Sequence, residues 1–420
     1  MKPRVVITGI GLSAPVGRGV EECWLNLLAG HSGIGPITLF DASKLSVRIG
    51  GEVKFLPVED LAAKFPACVG EKDRKVWLGL DAASQAIADA RIPAEMLEAA
   101  LLFVGVSLEF FSLEAVAPVA HTEHMAPALA DHVLRETHSQ PLQTPLDQLS
   151  LILDDHYSFS RGRYTNCSAC AAGAQAIGEA FHRLRSGAAE VALAGATDST
   201  LNPLGLGGFS LLRILSTEND QPAKACRPFD ATRQGTVLSE GAAFVMMETL
   251  EHARQRGARI YAEVAGYASS LDAYRVTDPE PNGRGAVLSM TKAMADAGLT
   301  PLDIDCVNAH GTGTPKNDVA ETLAIKQVLG TRARQIPVTA NKSMTGHIIA
   351  TSGTFEAAAS VLTLFSGKVS PTINLEHSDP QCDLDYVAEG CRDFKGRTVL
   401  SNSFGFGGQN ATLIFRRLET

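Results

Sequence analysis

Three absences bound the class of this chain. Every apolar run is broken by charge, Gly or Pro well short of the roughly 18 residues that a membrane-spanning helix needs, so no span is expected. A basic excess is also missing: 37 Lys and Arg stand against 46 Asp and Glu, a net charge of −9. Phosphate binding needs a positive face, and general nucleic-acid binding is excluded. The eight cysteines form no dense framework, and Cys167-x-x-Cys170 has no second C-x-x-C or H-x-H partner, which argues against both a disulfide scaffold and a zinc site. Most of them, Cys167 included, are expected to be reduced and to serve packing. The start, Met1-Lys2-Pro3-Arg4-Val5-Val6-Ile7-Thr8-Gly9, carries neither the apolar core nor the cleavage site of a signal peptide, and a cytoplasmic location is expected.

What is present is a long α/β pattern. At 420 residues, 45% apolar and 20% charged with 38 Gly, the chain exceeds one ordinary core and predicts two domains. Its halves echo each other. Ala86-Ile87-Ala88-Asp89-Ala90 returns as Ala293-Met294-Ala295-Asp296-Ala297, each on an amphipathic helix leading into an apolar strand, at 101–106 and 304–309. Gly173 and Ser186-Gly187 recur as Gly353 and Ser366-Gly367 at a constant offset of 180 residues. Both halves open on similar strands, ending at Gly9 and Gly266, and close on strand runs at 242–248 and 411–415. The expected units are therefore 1–255 and 256–420. Strands alternating with helices predict mostly parallel sheets, with the small-residue helices 171–180 and 350–359 buried between them.

Candidate chemistry gathers at a few positions. Cys170 stands where a short strand meets a small-residue helix, and the unpaired N–H groups of a helix start stabilise a thiolate or an oxyanion. By position alone it reads equally as packing or as a nucleophile. His310 ends a strand and opens His310-Gly311-Thr312-Gly313-Thr314-Pro315, a common setting for a catalytic imidazole in α/β folds. His347, in Asn341-Lys342-Ser343-Met344-Thr345-Gly346-His347, lies where the echoed helix of the second half begins, the approximate counterpart of Cys170. Glu321, on a helix over 318–329, is placed to pair with Lys342 and hold the loop before His347; the alternative is a surface pair worth under about 1 kcal/mol. Ser403-Phe404-Gly405-Phe406-Gly407-Gly408-Gln409-Asn410 is a glycine-flanked turn between strands, either a plain hairpin or a loop that offers an N–H to an oxyanion and a swinging ring. Gly9-Ile10-Gly11-Leu12-Ser13-Ala14 mimics a dinucleotide-binding turn, yet Pro15 and Gly17-Arg18-Gly19 prevent a helix from starting there, which excludes a nicotinamide oxidoreductase.

Together these positions, with segments 5–11, 203–216, 227–240, 308–315, 342–347 and 401–408, resemble the β-ketoacyl-acyl-carrier-protein synthases of the elongation type. The resemblance covers most of the chain. It implies a thiolase-like αβαβα layered sandwich of two related halves, usually dimeric, either a homodimer or a heterodimer with a related chain. It also implies a reaction: Cys170 takes an acyl group from acyl carrier protein, the N–H groups of Cys170 and Phe406 hold the oxyanion, and His310 and His347 support decarboxylation of a malonyl thioester. Lys342 and Glu321 would organise the histidines and Phe406 would gate entry. Thr312 and Thr314 match pantetheine-holding threonines; Leu108, Phe404, Gly407 and Gly408 fall at the family's substrate-lining positions. Lys72, Arg74, Lys75 and Arg213 fall on its carrier-docking patch. Neither a metal nor a redox cofactor is required, the substrates arriving on phosphopantetheine.

The chain also departs from that pattern. Ser168-Ala169-Cys170-Ala171-Ala172-Gly173 has smaller, less polar neighbours than the family's usual run, and residues 109–163, where the family builds its acyl tunnel and part of its dimer contact, differ almost throughout. Specialised polyketide or polyene assembly thus stands beside fatty-acid elongation. The rival activities are an acyltransferase that does not condense and a non-catalytic chain-length partner. Retention of the thiol and both imidazoles weighs against each.

Overall fold

The structure, a computed structural model, describes residues 2–111 and 143–418. Most of the divergent segment 109–163 lies outside the described residues. The first half runs β1 (Val5–Ala14), α1 (Arg74–Ala90), β2 (Leu101–Gly105), α2 (Gln148–Tyr157), β3 (Arg163–Asn166), α3 (Ala172–Arg185), β4 (Val191–Ser199) and β5 (Glu240–Thr249). The second repeats that order element for element: β6 (Ala262–Leu271), α4 (Arg284–Ala297), β7 (Cys306–Asn308), α5 (Pro315–Leu329), β8 (Val338–Thr339), α6 (Thr351–Ser366), β9 (Thr398–Gly405) and β10 (Gln409–Arg416).

Strand order makes the duplication explicit. It reads β3-β2-β4-β5-β1-β6-β10-β9-β7-β8, a palindrome of the two halves about the β1–β6 junction. That junction is antiparallel and short, with Val5 opposite Val264 and Ile7 opposite Ala262. Within each half the sheet is mixed, which corrects the expectation of mostly parallel pairing: β1–β5 and β5–β4 are antiparallel, β4–β2 and β2–β3 parallel, and the second half matches link for link. The cause is local in β9–β10. Only the turn Phe406–Gly408 separates them, and so tight a connection forces an antiparallel return.

The layers follow from residue size. Helices α3 and α6 lie between the two half-sheets, each in contact with strands of both halves, while α1 and α4 cover the outer faces. A methyl on Gly173 would sit 2.4 Å from Thr354 Oγ1 and one on Gly353 2.7 Å from the Ala174 nitrogen, so glycine is what lets the two central helices touch. The outer layers use the same device. A methyl on Gly9 would sit 2.3 Å from the Ala86 carbonyl oxygen, and one on Gly266 2.5 Å from that of Ala293. Both glycines adjoin an irregularity in strand register. Beside each irregularity the repeated Asp takes a strand N–H: Asp89 accepts that of Ile10 at 3.0 Å and Asp296 that of Tyr267 at 3.2 Å.

Candidate active site

The nucleophile position is built by a strained turn. Ala169 has φ +48, a left-handed conformation costly for a residue with a Cβ, and it opens the 3-10 turn Ala169–Ala171. The α-helix begins two residues after the cysteine, at Ala172. Cys170 is 5% exposed and lines a cavity of about 410 Å³. At the 180-residue offset its counterpart in the second half is Ala350, whose carbonyl accepts the Gly173 N–H at 3.1 Å; His347 lies three residues earlier and reaches across the seam by its side chain. His347 Nε2 stands 3.1 Å from Cys170 Sγ.

Charge around the sulfur is divided. The sequence predicts a stabilised thiolate, and the N–H groups of Phe406 and Cys170 and the Lys342 ammonium do favour one. Burial outweighs them and pushes the thiol up to about 12, with Asp198 adding to the rise. Cys170 is therefore a buried thiol surrounded by groups that stabilise negative charge once it develops.

The two imidazoles are held neutral. Their ring centres lie 5.4 Å apart with planes at 83°, and burial, reinforced by the Lys342 charge, holds both well below the ordinary histidine value. Lys342 Nζ donates to the His310 carbonyl oxygen at 2.6 Å and stands 3.2 Å from His310 Nδ1. Its carboxylate partner is Glu356, in a fully buried pair, which corrects the expected pairing with Glu321. Glu321 instead accepts the N–H groups of His310 and Gly311, both at 2.8 Å, and so fixes the loop that follows β7. Burial raises both carboxyls to about 7. On its far side, His347 Nδ1 meets Ser352 Oγ at 3.0 Å.

Other expected site residues divide into those that line the cavity and those that do not. Thr312, Thr314, Phe404, Phe406 and Gly408 line it, with the two threonine hydroxyls 2.8 Å apart and Phe406 stacked on Phe209 at 6.3 Å between ring centres. Gly407 is exposed and not part of the lining, and donates its N–H at 2.7 Å to the carbonyl of Val276, which is. Leu108 is 51% exposed and outside the cavity, its carbonyl accepting from Lys75 Nζ at 2.7 Å. That bond, with the ion pair to Asp73, buries Lys75 and removes it from any docking surface. Arg74 is turned inward on buried Glu240, at 2.5 Å. Lys72 and Arg213 are exposed, and Arg213 also borders the cavity. Cys167 is exposed rather than packed, donating to the Ser107 carbonyl at 2.7 Å. Among the described residues no group of His, Cys, Asp and Glu is arranged to hold a metal ion, and no helix is long and apolar enough to cross a membrane.

Sequence reasoning missed Glu356, Ser352 and Asp198. The signal for Glu356 was available: it is the lone carboxylate in a helix of small and apolar residues, a place where charge persists only with a partner.

A buried thiol that faces two neutral imidazoles across the seam of a duplicated α/β frame defines an enzyme of the thiolase-like class, acting on acyl groups held as thioesters. Comparison with known proteins is specific. Residues 2–253 match the N-terminal domain and residues 261–376 the C-terminal domain of the β-ketoacyl synthases. The chain belongs to that family and is a condensing enzyme. It is 41% identical over 422 aligned positions to a 3-oxoacyl-[acyl-carrier-protein] synthase 2 of Synechocystis, covering 100% of this chain and 99% of the relative. Identity to the Coxiella burnetii protein of the same description is 40%, over 99% of both. Among solved structures, a ketosynthase/chain length factor of ishigamide superposes with a TM-score of 0.87 at 31% identity, over 100% of both chains. A type II polyketide acyl-carrier protein in complex with its ketosynthase, bound to the hexaketide, gives 0.85 at 32%, again over 100% of both.

Proposed function

We propose that the chain joins an acyl group held on Cys170 to malonyl-acyl carrier protein, giving 3-oxoacyl-acyl carrier protein and CO2, in fatty-acid or polyketide chain elongation. The observation that carries this reading is the 3.1 Å approach of His347 Nε2 to Cys170 Sγ, with the His310 ring beside it in the same cavity. In the first half-reaction the sulfur attacks the acyl thioester, the oxyanion is held by the N–H groups of Cys170 and Phe406, and the pantetheine thiol departs with the proton that Cys170 gives up. Malonyl thioester then enters. Its C–CO2 bond breaks, the electrons pass to an enolate whose oxygen is held by His310 and His347, and the enolate carbon attacks the acyl carbonyl. The C–S bond breaks and the sulfur takes up a proton from solvent, replacing the one that left on the pantetheine thiol. Neutral imidazoles suit this step because they donate hydrogen bonds without attracting the malonyl carboxylate that must leave.

Lys342, Glu356 and Glu321 act as positioning residues, Thr312 and Thr314 hold the pantetheine arm, and Phe406 gates the cavity against Phe209. Phosphopantetheine is the only prosthetic group involved, and it belongs to the carrier. Docking of an acidic carrier falls to Arg213 and Lys72 at the exposed face. The working form is a dimer with a second copy or a related chain, a reading supported by the four-residue edge strand β3 and its 41% exposed Tyr164. A cytoplasmic location is supported by eight free thiols.

Incubation with acyl- and malonyl-loaded carrier proteins tests the assignment. The expected products are CO2 and a chain two carbons longer, both lost in Cys170→Ala. Acyl exchange without CO2 release would point to a simple acyltransferase, and condensation by Cys170→Ala would sink the proposal.

A further inference from the structure

The two imidazoles are held from behind by unlike partners. His310 Nδ1 faces the Lys342 ammonium, which has hydrogens to give and no lone pair, so the ring's own proton belongs on Nε2. Behind His347 stands the hydroxyl of Ser352, which can donate or accept, and the surrounding bonds decide between the two. The Ile348 N–H donates to Ser352 Oγ at 3.1 Å. Ser352 is 2% exposed, and its hydrogen has one acceptor within reach among the described residues, the His347 Nδ1 lone pair at 3.0 Å. The carbonyl one turn back, that of Ile348, takes the Thr351 N–H at 2.9 Å and makes no bond with Ser352 Oγ. If Nδ1 carried the proton, the hydroxyl would hold two incoming donors and a buried hydrogen with no partner, an arrangement that buried polar groups avoid.

We propose that Ser352 is a positioning residue that fixes the tautomer of His347: its hydroxyl donates to Nδ1, so that Nε2 carries the proton and presents it to Cys170 Sγ and, in turn, to the malonyl carbonyl oxygen. This rests on the condensing reading above. It adds a residue that touches no reacting atom and yet decides whether the second imidazole is a donor or an acceptor. Ser352 occupies the first turn of α6, rigidly placed where Asp198 accepts the Ala350 N–H at 3.1 Å from the other half. Ring orientation and proton position are thus set by one short segment.

Nitrogen NMR of histidine-labelled protein reads the tautomer directly, with the His347 signals assigned by their loss in His347→Ala. The wild-type spectrum is expected to show a protonated Nε2 and a bare Nδ1. In Ser352→Ala the ring should populate both tautomers, and kcat for malonyl decarboxylation should fall by about tenfold or more, within the range for loss of a positioned proton donor, while KM for malonyl-carrier stays near its starting value. Ser352→Thr, which keeps the hydroxyl, should recover most of that loss. A protonated Nδ1 in the wild-type spectrum, or full decarboxylation by Ser352→Ala, overturns the proposal. Should Ser352→Ala fail to fold, the wild-type spectrum alone decides. Failure of the wild type to condense would instead overturn the function assigned above, since the tautomer is read without turnover.

Discussion

At the scale of residues, burial sets the protonation of the site's acidic groups, and their hydrogen-bond partners work against it. Glu321 illustrates the point: its two oxygens take the N–H groups of His310 and Gly311, and burial still lifts its carboxyl to about 7. Glu356 stands equally high for the same reason. Because both values lie above the ordinary 4.5, the folded chain keeps protons that the unfolded chain has released. Their stabilising contribution is full below about 4.5 and is lost as pH rises through about 7. Urea midpoints measured across that window should fall with pH, and Glu321→Gln should flatten the slope by about one proton. The same variant presents an amide hydrogen to one of the two N–H groups, so decarboxylation should drop about tenfold while acylation of Cys170, followed by intact mass, persists. Cys170, His310 and His347 were legible because each sits at the end of an element, where sequence marks are strongest. The partner of Lys342 was not, since a list of carboxylates does not say which one a fold brings within reach.

Elements were legible where a repeat doubled the signal. The echoed Ala-x-Ala-Asp-Ala runs located α1 and α4, and the offset of 180 residues placed α3 and α6 as a pair. Strand direction was hidden: hydropathy in β5 is that of any buried strand, whether its neighbours run with it or against it. The paired glycines give this scale its test. Gly9→Ala and Gly266→Ala each drive a methyl into a helix carbonyl, so both should lower the thermal midpoint by similar amounts, consistent with an overpacking cost of about 1–3 kcal/mol or more. A variant with unchanged stability at either position would show that the helix can withdraw from its strand.

For the molecule as a whole, the proposed function requires the cavity to receive a substrate delivered by a carrier protein. Arg213 borders the opening and is exposed, whereas Arg74 and Lys75 are occupied by Glu240 and Asp73. Arg213→Glu is therefore expected to raise KM several-fold for malonyl on its carrier, more at low salt than at high, and to leave malonyl-pantetheine turnover unchanged. Equal effects on both substrates would assign Arg213 to the cavity wall alone. The overall architecture was readable because duplication is a property of order along the chain; Leu108 was misplaced because the wall of a tunnel depends on contacts that one chain's sequence does not order. The seam between the halves carries a consequence for ancestry. The first half owns the thiol and the second owns both imidazoles, joined where the Gly173 N–H meets the Ala350 carbonyl. A free-standing ancestor of half this length would have needed two copies to assemble a reaction centre, with identical helix starts facing each other. In one continuous chain that equality is not required, and the two starts differ: one carries the sulfur and the other stands beside the imidazole that faces it.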